Sequence, residues 1–575
     1  MILQGLVKLY EDLSAQGKVA RSGWAPAKIS YALCLSEDGA LEQLIPLLEE
    51  KTVGKKTVLR PSIAIVPAAV KRTVGILPNF LWDNSSYLFG VDGKGKPERS
   101  RQCFQACRDH HHALLDRVDS PAAKAILRFF DRWDPACAED NPVLQSEADA
   151  ILAGANLTFR VSGSYAYEDK AIQSAWQKHY DSGDGETMQC LVTGTQDVIE
   201  PTHPSISGVI GAQSSGAALV SFNAPAFCSY GREQNFNAPV GKYAAFAYTT
   251  ALNHLLADRD TVQRIGDTTI VCWADGADPA YQTAFLGALF GKEPPVWTAK
   301  DLQAAVKRLA EGKPSEELHL DPDRSFYILG LAPNAARISV RFFLRDSFGH
   351  LMKHINAHHE RMEIVRPSYD PYETIPLWAM LRETVNQNAR EKEPSPIMAG
   401  AVARAIFSGG AYPAALLEGV LLRIRAERNI TRGRAAILKA YYLRNQHPDC
   451  PKEVLTVSLN ESSTNIPYTL GRLFSIYEAA QQKANPGINT TIKDRYLNGA
   501  SSTPATIFPV LDNLYQKHLR KIETGLRIYY DKQVTQLKGV LGESYPLRLS
   551  LPEQGSFNLG YYHQTQKRYE KKEEQ

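Results

Sequence analysis

The sequence predicts an α+β fold in which β-sheets and helices form the N-terminal region and a helical bundle follows. Short apolar runs bounded by glycine and proline alternate with helical patterns to about residue 371, whereas the later pattern is almost wholly helical. At 575 residues the chain is too long for a single hydrophobic core. We therefore expect an α+β domain over residues 1–372, a helical bundle over 373–563 and a disordered charged tail over 564–575.

The first element is predicted to be a helix, because Leu3, Leu6, Tyr10 and Leu13 recur at steps of three and four residues. Later segments with a strand pattern are rich in β-branched and aromatic residues and are bounded by turn residues. They are Ser62–Val66, Thr158–Val161, Ala217–Phe222, Thr268–Trp273 and Phe326–Leu331. Short strands separated by helical patterns are typical of α+β proteins.

The clearest helical pattern covers Phe508–Leu541 and predicts one long arm of a bundle. Thr503 and Pro504 precede it as an N-cap and first-turn pair. Its basic side chains lie mostly away from the apolar face. That face is formed by Leu511, Leu514, Leu519, Ile522, Leu526, Tyr529, Val534, Leu537 and Leu541.

Composition and cysteine content favour a cytoplasmic protein that does not cross a membrane. No apolar run approaches the roughly 18 residues that a membrane span needs. The N-terminus lacks the apolar segment of a signal peptide. The 8 cysteines are scattered over the chain rather than arranged as a disulfide framework, as is usual in a reducing compartment.

The net charge of +3 conceals an uneven distribution. From residue 401 onward there are 24 lysines and arginines against 15 aspartates and glutamates, so this part carries +9 and the first 400 residues −6. Clustered cations attract phosphate backbones through counterion release, although such a run also suits a solvated helix face. The densest cluster contains Arg423, Arg425, Arg428, Arg432, Arg434 and Lys439.

Residues 207–240 join glycine-rich turns to amide, hydroxyl and aromatic side chains with few charges. The glycines of its first half can adopt positive φ, so the backbone N–H groups around Gln213, Ser214 and Ser215 could line a concave anion-binding nest. These glycines are Gly208, Gly211 and Gly216.

The second half of this stretch offers groups for base recognition. Amides can bind base edges, and aromatic rings offer stacking faces. The amides are Asn223, Gln234, Asn235 and Asn237, and the rings are those of Phe222, Phe227, Tyr230 and Phe236. The same composition also suits a polar turn region whose aromatic residues lie in the core, so both interpretations stay open.

The segment from Lys71 to Gly90 carries cations at its start and amides and hydroxyls further on. Cations can hold a duplex backbone while amides reach a groove edge, a division of labour typical of DNA recognition. The alternative is structural: Asp83 and Asn84 would close an Asx turn, and Asn79 would cap a helix. The candidate DNA-binding residues are Lys71, Arg72, Thr73, Asn79, Asn84 and Ser85.

Signatures of catalysis are weak. The sequence has no G-x-x-x-x-G-K-[ST] loop, no G-x-G-x-x-G and no His-Asp dipeptide, which argues against an NTPase, a dinucleotide enzyme and an HD-type nuclease. GAQSSG at 211–216 lacks the G-x-S-x-G spacing of a nucleophile elbow. We expect no catalytic residue and no cofactor.

Two histidine clusters have helical spacing. One comprises His350, His354 and His358, and the other places Cys103 and Cys107 before His110–His112. Ligands from a single helix rarely close a tetrahedron, because their side chains are spread along its axis. We expect these to be surface or core histidines, and no metal.

Four ordered blocks of the sequence carry a family likeness. The central block runs from Gly211 to Asn253 and contains GAQSSG, LVSFN, AFCSYG, NAPV and AFAYTTALN. The others are KRTVGILPNFLWDNSSYLFG at 71–90, FYILGLAPNAARISVRFF at 326–343 and RAAILKAYYLRN at 434–445. Together they resemble the large subunit of the type I-C CRISPR interference complex, Cascade, known as the Csd-one or Cas-eight family. Four long blocks in order are far more specific than a single short motif.

The resemblance implies a non-catalytic subunit of an RNA-guided complex, in which base pairing with a CRISPR RNA supplies most of the target specificity. In this family the large subunit binds the protospacer-adjacent motif (PAM), the short duplex flank that licenses unwinding, and R-loop formation follows. The implied partners are the CRISPR RNA with its backbone subunits, the subunit that caps the RNA 5′ handle, small subunits, double-stranded target DNA and a recruited helicase–nuclease. The alternative is a metal- or serine-dependent hydrolase acting on nucleic acid.

The resemblance also assigns tasks to the candidate residues. The group from Lys71 to Ser85 would bind the PAM duplex, and the basic cluster from Arg423 to Lys439 would guide the displaced strand. The residues expected where the strands separate are Gln213, Ser214, Ser215, Gln234, Asn235 and Asn237.

Small subunits of type I-C systems are made by internal translation from the large-subunit gene. The resemblance implies the same for the gene of this chain. Its methionines are Met1, Met188, Met352, Met362, Met380 and Met398. An internal product must therefore start near Met398 or at a non-methionine codon further on. We favour a start between Val454 and Tyr477, which leaves a compact unit containing the predicted Phe508–Leu541 helix.

Overall fold

The computed structural model describes residues 1–569 apart from 54–55, 71, 73–74, 94, 139, 183–184, 293–296, 317 and 391. It confirms the α+β class, because strands and helices alternate up to Ser347 and the regular elements described beyond that residue are helices. The chain divides into two compact units. The first comprises Leu3–Pro204 and Val220–Ala251, and the second comprises Ser205–Leu219 and the chain from Leu252 onward.

The first unit combines strands with helices. Its helices are α1 (Ile2–Ala15), α2 (Ser85–Leu88), α3 (Pro97–Leu115), α4 (Pro121–Arg132), α5 (Pro142–Gln145), α6 (Ala148–Leu152) and α7 (Lys170–Asp181), and α8 (Lys242–Ala257) begins in it. Its strands are β1 (Trp24–Ile29), β2 (Tyr31–Leu35), β3 (Leu41–Pro46), β4 (Leu48–Val53), β5 (Lys56–Pro67), β6 (Trp82–Asp83), β7 (Leu157–Val161), β8 (Ser164–Tyr165), β9 (Thr187–Gln189) and β10 (Gln196–Val198).

The strands of the first unit pair mainly antiparallel, with β2 and β7 running parallel. One sheet has the order β1-β5-β4, another has the order β3-β2-β7-β6 with β8 also on β7, and β9 pairs with β10. The main core includes the buried rings of Phe80, Phe104, Phe129 and Phe159. Helix α4, which supplies Phe129, begins where the Ser120 hydroxyl accepts hydrogen bonds from two backbone N–H groups of the first turn.

The second unit begins with strands and continues as helices. Its strands are β11 (Gln263–Ile265), β12 (Thr268–Ala274), β13 (Ser325–Asn334) and β14 (Arg337–Ser347), which form an antiparallel sheet in that order. Its helices are α9 (Pro279–Phe290), α10 (Ala299–Ala310), α11 (Phe348–Met362), α12 (Leu377–Arg382), α13 (Pro396–Ser408), α14 (Ala414–Glu427), α15 (Arg432–Asn445), α16 (Ile466–Ala484), α17 (Ile492–Ser502), α18 (Pro504–Leu519), α19 (Thr524–Leu541) and α20 (Leu551–Lys567).

One continuous hydrophobic core joins this sheet to the helices that follow it. Helices α16 and α20 approach at backbone distance within this core. A Cβ atom at Gly471 would overlap the carbonyl oxygen of Phe557, and one at Gly560 would overlap that of Tyr468. Glycine at both positions is therefore required for this close packing.

Most of the predicted elements are confirmed. Helix α1 buries Leu6, Tyr10 and Leu13, and four predicted strands lie within β5, β7, β12 and β13. The predicted strand Ala217–Phe222 is wrong, because only isolated bridges form there, from Ala217 to Ile206 and from Ala218 to Arg337. The positive φ of the preceding glycine turns the chain immediately before this apolar run, so a ladder does not extend.

The predicted single helix over Phe508–Leu541 is also wrong. Helix α18 ends at Leu519 and α19 begins at Thr524, with a turn between them. Pro504 occupies the first turn as predicted, but the Thr503 side chain does not cap it and instead donates to the carbonyl of Gly499 (3.3 Å). Leu519 at the end of α18 and Ile522 within the turn are both buried, so the apolar pattern continues through the turn and hides the break in the sequence.

The predicted start of a disordered tail at residue 564 is wrong. Residues 564–567 complete helix α20, and Gln564 is buried and accepts a hydrogen bond from Arg472 (3.1 Å). Residues 570–575 lie outside the described residues. The predicted boundary near residue 372 falls inside the second unit. Among the helices of the described chain, none is both long and apolar enough to cross a membrane.

Candidate nucleic-acid interface

In the predicted duplex-binding segment, the structure describes Arg72 but not the neighbouring candidates Lys71 and Thr73, which lie outside the described residues. Its guanidinium forms a bidentate ion pair with the buried Asp83 carboxylate, with Nη1 to Oδ1 at 3.0 Å. Its Nε donates to the carbonyl of Leu77 (2.7 Å). The charge of Arg72 is therefore used to hold the segment together.

The amides of this segment are also used internally. Asn79 Oδ1 accepts from the backbone N–H of Val70 (3.0 Å), and Asn84 Oδ1 accepts from that of Ser86 (3.1 Å), which caps α2. Asn79 and Ser85 are buried. The predicted groove contacts of Asn79 and Ser85 are thus corrected, because neither side chain reaches the surface, and the structural alternative holds for Asn84.

The buried His111 binds the backbone of the same segment. The Leu81 N–H donates to His111 Nε2 (3.0 Å), and His111 Nδ1 lies 2.7 Å from the carbonyl oxygen of Cys107. The neutral tautomer with the proton on Nδ1 satisfies both contacts. Burial lowers the pKa of His111 to about 3. Cys103, Cys107 and His111 are therefore core residues of the first unit, whereas His112 is partly exposed and lies 2.9 Å from Asp116 and 3.1 Å from Asp131.

The glycine-rich turns of residues 205–219 belong to the second unit. Gly208, Gly211 and Gly216 have positive φ angles of 96°, 81° and 91°, which confirms the sequence prediction. The backbone N–H of Ile210 donates to the hydroxyl of Thr269 (3.0 Å), which attaches the turns to β12.

Gln213, Ser214 and Ser215 are exposed at the tip of these turns. The N–H of Gly216 donates back to the carbonyl of Gln213 (3.0 Å) and closes the turn. The backbone N–H groups of the other three residues have no hydrogen-bond partner within the described chain. These are the N–H groups that the sequence analysis assigned to an anion-binding nest, and that assignment stays a prediction.

The loop of residues 221–239 belongs to the first unit and uses two of its amides as internal supports. Asn235 is 1% exposed and donates to the carbonyl of Glu200 (3.1 Å). Asn237 accepts from the N–H of Ser229 (2.7 Å) and donates to the carbonyl of Arg232 (3.0 Å). The predicted contact of Asn235 with separating strands is corrected, because this side chain lies beneath the loop.

The groups that this loop presents to solvent are different ones. Gln234 is exposed, Phe227 is 45% exposed, and Tyr230 is 100% exposed. Sequence reasoning placed Tyr230 among the stacking candidates but not among the site residues. The signal for it was the Tyr-Gly dipeptide inside a run of polar residues, which is typical of a tight turn with its side chains outside.

The basic helices α14 and α15 turn several of their cations inward. Arg432 donates to the Asp370 carboxylate (3.0 Å) and to the carbonyl of Tyr372 (2.6 Å). Arg434 is 1% exposed and is paired with Glu427 and with Glu383, whose Oε2 lies 3.3 Å from its Nε. Guanidinium groups enclosed in this way are not available to phosphates.

Lys439 is buried as well and donates to two carbonyls of the last turn of α11. Burial lowers the pKa of its ammonium group. The predicted displaced-strand contacts of Arg432, Arg434 and Lys439 are therefore corrected. Of the remaining three, Arg423 is paired with Glu427 on its own helix (3.7 Å), and Arg425 and Arg428 are exposed.

The histidines of α11 contact separate partners. His350 Nδ1 lies 2.6 Å from the Asp346 carboxylate, His354 Nδ1 lies 2.8 Å from the carbonyl oxygen of Phe407, and His358 Nδ1 lies 2.7 Å from the Tyr412 hydroxyl. Within the described residues no group of three or more histidine, cysteine, aspartate or glutamate side chains is arranged to hold a metal ion.

Comparison with known proteins places these surfaces in a family context. A family model described as CRISPR-associated protein (Cas_Csd1) matches residues 6–569. No curated protein matches the chain. The family match covers both compact units and all four surfaces described above.

Proposed function

The chain belongs to the Csd1 family of CRISPR-associated proteins, and we propose that it is the non-catalytic large subunit of a type I-C interference complex. The observation that carries this proposal is the family match over nearly the whole chain, since a likeness of that extent includes the surfaces as well as the core. In this role the protein binds the PAM in duplex DNA, promotes unwinding and R-loop formation, and guides the displaced strand. The CRISPR RNA supplies the target sequence by base pairing.

The proposed partners are those of a cytoplasmic RNA-guided complex. They comprise the CRISPR RNA with its backbone subunits, the subunit that caps the RNA 5′ handle, small subunits, the target duplex and a recruited helicase–nuclease. Residues 1–372 would hold the duplex, and residues 373–563 would lie along the displaced strand. For the strand path, Arg425 and Arg428 are the exposed cations of the predicted cluster.

Strand opening by the assembled complex tests the proposal. The complex is expressed with and without this chain, and permanganate reactivity of thymines in the displaced strand reports R-loop formation on targets with varied flanks. We expect flank-dependent opening only when the chain is present. Equal opening and equal flank preference without it would contradict the proposal, and DNA cleavage by the purified chain would favour the hydrolase alternative.

A matched pair of amide variants separates surface contact from structural support. Gln213 is exposed at the tip of the glycine-rich turns, whereas Asn235 is buried beneath its loop. We expect Gln213→Ala to slow opening of a duplex target more than binding of a pre-opened one, because only the duplex must be unstacked. Asn235→Ala should impair both substrates equally through damage to the fold. Equal effects of Gln213→Ala on both substrates would remove it from the site.

The proposed source of the small subunits is internal translation of the same gene. Within the favoured start region Val454–Tyr477, a start up to the N-cap residue Asn465 would leave α16–α20 whole, including the close contact of α16 with α20. Intact-mass measurement of the complex expressed from the native gene tests this. A C-terminal fragment of that size is expected, and finding only the full-length chain would refute it.

A further inference from the structure

Tyr230 occupies a backbone position that disfavours a large side chain. It is the second residue of a tight turn closed by a hydrogen bond from the Arg232 N–H to the Ser229 carbonyl (3.0 Å). Tyr230 and Gly231 have φ angles of 54° and 66°, so both central residues are left-handed. Such turns are dominated by glycine, asparagine and aspartate, and a bulky residue at positive φ is strained. Strain of this kind persists only where surrounding contacts impose it.

The contacts that impose it come from Asn237. Its Oδ1 accepts from the Ser229 N–H (2.7 Å), and its Nδ2 donates to the carbonyls of Arg232 (3.0 Å) and Gln234 (2.9 Å). One amide therefore holds the turn at both ends. The buried Asn235 fixes the loop beneath it through its contact with Glu200. The ring of Tyr230 is consequently held away from the body of the first unit on a supported turn.

The surroundings of the ring favour one kind of ligand. Tyr230 is 100% exposed, and its neighbours Ser229, Gly231, Arg232 and Glu233 are all exposed and carry no apolar side chain of their own. Together with Phe227, which is 45% exposed three positions earlier, the ring offers flat π faces but little of the contiguous apolar surface that a dry protein interface needs. A nucleobase fits such a face, because stacking requires only a second flat ring and tolerates any base.

We propose that Tyr230 stacks on an unpaired nucleobase of the target DNA, with Asn237 as the positioning residue that holds the ring outward. This inference rests on the proposed function, because it requires the chain to meet DNA that has been opened. It differs from the sequence prediction for the same loop. There the amides were expected to contact the strands, whereas here Asn235 and Asn237 support the aromatic residue that does.

The test uses the assembled complex containing the full-length chain and a synthetic forked DNA whose unpaired arm carries 5-iodouracil. Tyr230→Ala is expected to lower fork affinity about 5- to 100-fold, the range expected for loss of one stacked base. Tyr230→Phe, which keeps the ring, should stay within about twofold. Tyr369→Ala removes a tyrosine that is 85% exposed in the second unit and is the matched control, also expected within about twofold. Photocross-linking should attach the iodouracil to the peptide containing Tyr230.

The outcomes separate this inference from the proposed function. If the wild-type complex does not bind forked DNA, the proposed function itself fails. If it binds and Tyr230→Ala matches wild type and the Tyr369→Ala control, the stacking inference alone is overturned. Loss of a protein subunit from the Tyr230→Ala complex with unchanged fork affinity would assign the ring to a protein interface and also overturn it.

Discussion

The loop 221–239 and the basic helices α14 and α15 use their polar side chains in different ways. In the loop, asparagine amides bond to the backbone beneath a fully exposed tyrosine. In the helices, buried arginines and a buried lysine bond to partly exposed carboxylates, to loop carbonyls and to carbonyls of the last turn of α11. In both places, the backbone groups that lack partners determine which type of polar side chain supports the fold. An irregular loop leaves N–H groups and carbonyls together, which suits an amide, whereas helix ends leave carbonyls, which suit cations.

The largest expected effect is a loss of stability when an inward-facing arginine of these helices is removed. Arg434→Ala should lower the free energy of unfolding by about 3–5 kcal/mol, because Glu427 and Glu383 would be left without their buried cation. Thermal or chemical unfolding followed by circular dichroism measures it. Arg428→Ala, at an exposed position of the same segment, is the control. Similar small losses for both would mean that Arg434 is solvated like a surface cation.

The pH dependence of stability tests a buried histidine close to the support of the loop. His203, which is buried against the Tyr248 hydroxyl (2.7 Å), lies close in sequence to Glu200, on which the loop rests. Burial lowers the pKa of His203 from 6.5 to about 4. Between these values the unfolded chain binds a proton that the folded chain does not, so stability falls as the pH falls, by at most about 1.4 kcal/mol per pH unit.

The variant His203→Gln should lose this part of the acid sensitivity. Unfolding temperatures measured from neutral to acidic pH give the slope for the wild type and the variant. The exposed His447→Gln serves as the control. If the His203→Gln slope equals that of the wild type, His203 is already protonated in the folded chain at these pH values and does not support the loop as a neutral group.

A smaller effect is expected from loosening the loop itself. Asn237→Ala removes the hydrogen bonds on both sides of the Tyr230 turn, at a cost of about 0.5–1.5 kcal/mol for a half-buried amide. Trypsin should then cleave after the exposed Arg232 about 2- to 10-fold faster. Tyr230→Ala keeps the supporting bonds and should leave the cleavage rate unchanged. Equal acceleration in both variants would show that the ring, and not Asn237, orders the turn.

The smallest stability effect is expected at Arg428. This residue is exposed at the end of α14, so Arg428→Ala should change the free energy of unfolding by less than about 0.5 kcal/mol. If the displaced strand passes here, the same variant lowers the slope of log affinity against log salt by about one. An unchanged slope would remove Arg428 from the strand path.

The sequence was sufficient to predict the fold class, four strands, the first helix and the glycines with positive φ. These depend on local periodicity and on backbone conformation, which neighbouring residues determine. The orientation of Arg434, Lys439 and Asn235 depends on partners distant in sequence, such as Glu383, Glu360 and Glu200, whose proximity only the tertiary structure creates. Composition alone does not distinguish an arginine that binds phosphate from one that pairs with a glutamate inside the protein.

Because the chain passes between the two units after residues 204, 219 and 251, the parts of each unit are not synthesised consecutively. During synthesis the segment 205–219 emerges before residue 251, which completes the first unit, and before Thr269, Ala336 and Ile338, to which its own backbone bonds. The first unit must therefore close while this segment is still without its partners. In chain order the segment therefore lies between the two parts of the first unit. For the same reason no single cut releases either unit, and expressing the first unit alone requires a linker in place of residues 205–219.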